Sequence, residues 1–228
     1  MNLRYSKEIL DMSDYRRSHN KKEEKEKSIG KVILDYVITI AVVIGIGFFV
    51  MNFILVNAEI PSGSMENTIM AGDRVFGNRL QYMFSDPQRY DIVIFKYPDD
   101  ESQLFIKRII GLPNETVIIT GGEVYVADSS IVTTDISDEE LINNPTMLQG
   151  VKKLDDSFIA EPMDTAYSGV FRVPSDSYFM MGDNRNHSKD SRYWVNKFVA
   201  REKIVGKAVL RYWPITKIGF LSYSGDSQ

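Results

Sequence analysis

Two short segments carry the residue types needed to cleave an acyl bond without histidine: Pro61-Ser62-Gly63-Ser64-Met65 and Phe105-Ile106-Lys107-Arg108. A serine hydroxyl is a weak nucleophile until a neighbouring base takes its proton. The fixed φ of Pro61 and the open backbone of Gly63 favour a turn that presents the Ser64 hydroxyl beside a free N–H, the donor an oxyanion needs. Around the lysine, strand alternation puts Phe105, Lys107 and Ile109 on one face and Leu104, Ile106, Arg108 and Ile110 on the other. A lysine between two bulky apolar neighbours loses hydration, and its pKa falls. A fall of about three pH units destabilises the cation by roughly 4 kcal/mol and yields a base usable at neutral pH. Each segment also has an ordinary explanation: a polar turn after a helix, and a snorkelling edge-strand lysine.

A third segment, Met181–Arg192, is dense in Asp, Asn, Ser and Arg directly after an apolar strand pattern. It reads as a solvated loop, as a calcium loop, or as a scaffold of Asp–Arg pairs that holds a neighbouring site rigid. The calcium reading lacks EF-hand spacing and the terminal Glu. Composition narrows the chemistry further. With 0 Cys, no thiol nucleophile, disulfide or zinc finger can form. With 2 His, His19 and His187, a catalytic zinc site is short of ligands. His19 precedes the apolar segment and is expected across the bilayer from Ser64. His187 reads as a loop residue rather than a base. No metal or cofactor is expected.

The elements that must position these groups follow from patterning. The chain has 228 residues, enough for a tail, an anchor and one soluble domain. Residues 1–31 hold nine Lys/Arg against six Asp/Glu and are expected to form a solvated, partly helical or disordered tail. Residues 32–58 are expected to form a transmembrane helix. No charge falls between Tyr36 and Ala58. A helix of that length spans roughly 34 Å, enough for a hydrocarbon core of about 30 Å. The tail is too long for the n-region of a cleaved signal peptide, so an uncleaved span is expected. The Lys/Arg excess before the span predicts a cytoplasmic N-terminus and an extracytoplasmic 59–228. The net charge is −4, and the part after the span is the more acidic. It shows no basic patch with interleaved aromatics, which argues against a nucleic-acid partner.

After the span the pattern changes to period two. Strands are predicted over Asp91–Tyr97, Leu104–Ile110, Val170–Val173, Tyr178–Met181 and Ile204–Trp213. Thr116–Thr120, Gly121-Gly122 and Glu123–Val126 predict a hairpin whose glycines take the positive φ of a two-residue turn. Ser137–Asn144 predicts a short helix. Ala127–Ser168 is polar and reads as an inserted subdomain or long excursion.

Taken together and in order, these segments resemble the type I signal peptidases, membrane-bound serine proteases that remove signal peptides from exported proteins. The resemblance also takes in Gly72-Asp73, Asp91-Ile92-Val93 and Ile109-Ile110-Gly111-Leu112-Pro113. It implies a mostly β fold: an antiparallel catalytic ectodomain over 59–228, with an inserted smaller β subdomain near 114–170. It implies Ser64 as nucleophile and Lys107 as general base, acting through an acyl-enzyme. It further implies an oxyanion hole from the Ser62 hydroxyl and the Ser64 N–H, and Ser188 as the hydroxyl that orients the lysine. Asp183, Arg185, Asp190 and Arg192 are implied as the structural network at the site. The implied partners are preprotein signal peptides at the membrane surface, and lipid. The oligomeric state is left open. Three positions depart from the family pattern: Glu66-Asn67 where a proline usually precedes Thr-Leu, Tyr90 where glycine is common, and Asn186-His187 in the polar segment. Two other readings fit the anchor and strands: a tethered, non-enzymatic β domain, and a serine–lysine relative with one dedicated substrate.

Overall fold

The computed structural model describes residues 3–132, 135–159 and 161–221. Residues 222–228, the end of the expected ectodomain, lie outside the described residues. The chain divides into two units between Asn52 and Phe53.

In the first unit, α1 runs from Leu3 to Phe49, so the backbone of the tail is helical from Leu3 onward. The stretch Ile29–Ile54 is long and apolar enough to cross a membrane, and none of its apolar window is buried within the protein. A helix satisfies its own backbone hydrogen bonds, which is what allows such a segment to sit in lipid.

The expected end of this helix at Ala58 is not observed. Regular α-helical bonding stops at Phe49, a π-helical turn covers Val50–Ile54, and Leu55–Glu59 is extended as β1. Val56 is buried in the sheet core beside Val75 and Ile94. All five β1 residues pair with the next strand. Val56 and Ala58 suit a lipid-facing helix and a sheet core equally well. The unbroken apolar run therefore hid the change from period 3.6 to period two.

In the second unit β1 is followed by β2 (Arg74–Asn78), α2 (Gln81–Phe84), β3 (Ile92–Tyr97), β4 (Asp100–Gly111), β5 (Glu115–Thr120) and β6 (Glu123–Asp128). Then come α3 (Asp138–Asn143), β7 (Lys152–Lys153), β8 (Gly169–Arg172), β9 (Ser177–Met181), β10 (Val199–Ala200), β11 (Ile204–Trp213) and β12 (Gly219–Phe220). The first sheet has the order β1-β2-β11-β3-β4-β9-β10, with β12 also on β11, and the second the order β7-β6-β5-β8. Every pairing is antiparallel. The chain leaves the first sheet after β4, builds the second, and returns as β9 beside β4.

The sheets share an apolar core in which Ile110, Phe179 and Met181 meet Val117, Ile119 and Val124. Gly121 (φ 58°) and Gly122 (φ 80°) form the turn between β5 and β6, in the left-handed conformation that glycine adopts without steric cost. Ser137 and Glu140 close a capping box on α3 and satisfy donors that the helix start leaves open.

Candidate active site

Ser64 lies in one 3-10 turn, Gly63–Met65, between β1 and β2. Met65 is fully buried with Ile60, Ile69 and Ile106, which pins the turn to the sheet. The loop then closes on itself, with the N–H groups of Thr68 and Ile69 both donating to Met65 O.

β4 delivers Lys107, whose cross-strand partner on β3 is Val93. Its Nζ is 2.6 Å from Ser64 Oγ, a hydrogen bond whichever group holds the proton. Lys107 is 4% exposed. Burial lowers its pKa to about 8, although the charges of Asp190 and Asp183 pull upward. At pH 7 that leaves about a tenth of the amine neutral, against fewer than about one in a thousand for a free lysine. No ion pair to Lys107 forms among the described residues.

Ser62 is extended (φ −127°, ψ 156°), with its Oγ 3.4 Å from Ser64 Oγ. Ser188 is buried, and its Oγ has no hydrogen-bond partner among the described residues. Gly182 explains how the polar segment reaches the serine. A Cβ there would come within 2.3 Å of both Ser64 O and Ser188 Oγ. Only a residue without a side chain lets these backbones approach so closely.

The four charged residues of the network are all buried. Arg108 grips Asp183 through two bonds of 2.8 and 2.6 Å, and Thr68 Oγ1 donates to the same carboxylate at 2.5 Å. Arg192 Nε and Nη2 hold Asp190 at 2.9 Å each, and Gly182 N donates to Asp190 Oδ2 at 3.0 Å. Burial opposes the Arg192 charge, but the Asp190 hydrogen bond and charge outweigh it and raise the guanidinium pKa. Arg192 Nη2 also donates to Arg185 O at 2.6 Å, and Arg185 makes two 2.7 Å bonds to Asp156. Two-pronged Arg–carboxylate pairs of this kind fix orientation as well as charge.

The structure thus brings Ser62, Ser64, Lys107 and Ser188 to one place and sets the four charged residues around them. Sequence reasoning missed several supports. Asn184 donates from its backbone to Ser64 O at 3.1 Å and from Nδ2 to Gly63 O at 3.1 Å, holding two carbonyls of the serine turn. Its place in the Gly182-Asp183-Asn184-Arg185 run was the available signal. Arg108, next to Lys107, was visible only as a charge on the opposite face of the strand. Asp156 and Phe158 gave no signal within their polar segment. His187 is exposed, with Nδ1 3.3 Å from Asn184 Oδ1.

A cleft of about 540 Å³ opens beside Ser64 and Lys107, lined by Ala58, Ile60, Ile94 and Phe105, with His187 and Lys189 also on its wall. It is chiefly apolar, and most of its walls come from residues 57–64 and 103–107.

A buried serine in hydrogen-bond contact with a desolvated strand lysine, beside a chiefly apolar cleft, has the parts of a serine hydrolase. The family model "Signal peptidase, peptidase S26" matches residues 33–213. The chain is 36% identical over 217 residues to a probable signal peptidase I-2 of Synechocystis sp., covering 93% of this chain and 87% of that protein. It is 35% identical over 192 residues to signal peptidase I of Leptolyngbya laminosa, covering 81% and 80%. A signal peptidase I crystal structure from Enterococcus faecalis aligns with TM-score 0.32 at 29% identity, covering 54% of this chain and 97% of that one. The chain belongs to the signal peptidase family, peptidase S26, and is a peptide-bond hydrolase.

Proposed function

We propose that the protein is a membrane-bound serine endopeptidase that removes signal peptides from exported preproteins with a Ser64–Lys107 dyad. The observation that carries this reading is the 2.6 Å contact between Ser64 Oγ and a buried amine that makes no ion pair among the described residues. Neutral Lys107 takes the Ser64 proton as Oγ bonds to the scissile carbonyl carbon. The Ser64 N–H and the Ser62 hydroxyl stabilise the resulting oxyanion. The protonated amine gives its proton to the departing amine as the C–N bond breaks. Lys107 then activates a water that hydrolyses the acyl-enzyme. The open valence of Ser188 Oγ is available to orient the ammonium when it forms.

The setting supports a membrane-surface substrate. Ser64 lies ten positions beyond Ile54, and an extended chain of that length reaches at most about 35 Å. The N-terminus is assigned to the cytoplasm and the sheets to the other side, on the Lys/Arg excess before the span. A preprotein presented by its own apolar helix is held at that same boundary.

The test is incubation of the detergent-solubilised full chain with a test preprotein, with the cut mapped by mass spectrometry. Wild type should cut at one site after the apolar segment. Ser64→Ala and Lys107→Ala should each abolish the cut while remaining folded. Processing retained by either variant would refute the dyad.

A further inference from the structure

Phe158 sits in the polar segment after β7, 91 residues from Asn67, yet it meets the loop after Ser64, the lysine strand and the segment that leads to Ser188. Its carbonyl accepts from Asn67 Nδ2 at 2.6 Å, in the loop that follows Ser64. Its ring lies 4.2 Å from the guanidinium of Arg108, the residue after Lys107, and 5.6 Å from that of Arg185, three residues before Ser188. Tyr90 packs against the ring edge-on at 5.7 Å. The preceding residues tie the same segment down. Asp155 N donates to Tyr90 Oη at 3.2 Å, and Asp156 holds Arg185.

We propose that Phe158 is a positioning residue: a latch that holds the serine turn, the lysine strand and the Ser188 segment in one register. This rests on the peptidase reading above. Arg108 and Arg185 each have a carboxylate along one edge of the guanidinium, and both cations lie over the Phe158 ring. Cations over an aromatic face are held most strongly where water is excluded. Arg108 and Asp183 are each at most 3% exposed.

Two residues with left-handed backbone converge here. Asn67 (φ 84°) and Tyr90 (φ 69°) both take the left-handed conformation. Proline cannot adopt it, and a tyrosine does so only where its surroundings hold it. Both side chains are spent on the 155–158 segment.

Phe158 does not line the cleft. Removing its ring should therefore slow the chemical step and leave substrate binding unchanged. The experiment uses the full chain in detergent with a test preprotein. Its variants are Phe158→Ala, Phe158→Tyr, Asn67→Gly, which keeps the left-handed backbone, and the Phe158→Ala/Asn67→Gly double. Each is confirmed folded at the assay temperature by circular dichroism. Misplacing a catalytic group costs rate steeply, so Phe158→Ala should lower kcat by about tenfold or more with KM within about twofold. Phe158→Tyr should restore most of kcat. The double variant should be little worse than Phe158→Ala alone, because the ring contacts and the bond from Asn67 to the Phe158 carbonyl hold the same segment in place. Wild-type kcat in Phe158→Ala, a loss carried by KM, or losses that multiply in the double would overturn the latch. If wild type cuts no preprotein, the functional reading fails instead. The latch is then read from the rate at which a β-lactam-class acylating probe labels Ser64, which Phe158→Ala must also slow.

Discussion

Lys107 and Arg108 are neighbours on one strand, buried to 4% and 2% exposure, and their charges are managed in opposite ways. Arg108 is met by both oxygens of Asp183. Lys107 is met by a hydroxyl. Arginine stays charged in a protein, and here a carboxylate compensates it. A buried lysine without such a partner is pushed towards neutrality. Strand alternation separates the two outcomes, turning one side chain to a carboxylate and the next to Ser64. The lysine also lies within range of two carboxylates, Asp183 and Asp190, whose charges act against its neutralisation. Each of them is held by its own arginine, which fixes its place beside the lysine.

The comparison can be broken by exchanging the two chemistries. Lys107→Arg puts a group that stays protonated beside Ser64, so preprotein cleavage should fall by about 10³-fold or more, the scale of a lost general base, in a steady-state assay. On the other side of the strand, Asp183→Ala leaves Arg108 buried and unpaired. Loss of one partner from a buried pair costs about 3–5 kcal/mol, and denaturant unfolding should show it. The exposed Arg172–Asp138 pair (2.8 Å) marks the lower bound, and Arg172→Ala should shift stability by no more than about 1 kcal/mol.

Lys107 also has a thermodynamic signature. Its folded pKa, about 8, lies below the unfolded 10.5. Between those values the unfolded chain binds more protons, so wild-type stability rises with pH, and below about 8 the lysine imposes its full cost on folding. Lys107→Met should therefore stabilise the domain at pH 6 by at most about 3 kcal/mol. That gain should fade as pH climbs from about 8 towards 10.5, as read from thermal unfolding across pH. A variant that is inactive and more stable would separate the lysine's function from the packing of its strand.

Much of this was legible in the sequence where local pattern and tertiary environment agree. β11 spans the predicted Ile204–Trp213, and the Gly121-Gly122 turn and the α3 cap fall where their residues demand. Lys107 was legible because alternation alone puts it between Phe105 and Ile109. β1 was hidden because apolar residues serve lipid and sheet core alike, and β2 because Arg74–Asn78 is too polar and short to show a period. Among the site's supports, Asn184 stood in a recognisable run. The Asp156 and Phe158 contacts depend on the segment between β7 and β8 returning to the site, which no local spacing encodes.

The most direct test of the central claim is the pH dependence of preprotein cleavage by the wild-type full chain, measured as kcat/KM from pH 6 to 10. If a neutral Lys107 is the base, the rate should climb tenfold per pH unit, bend near pH 8 and then level off. A rate that is flat across that interval, or that falls as the amine loses its proton, would contradict it.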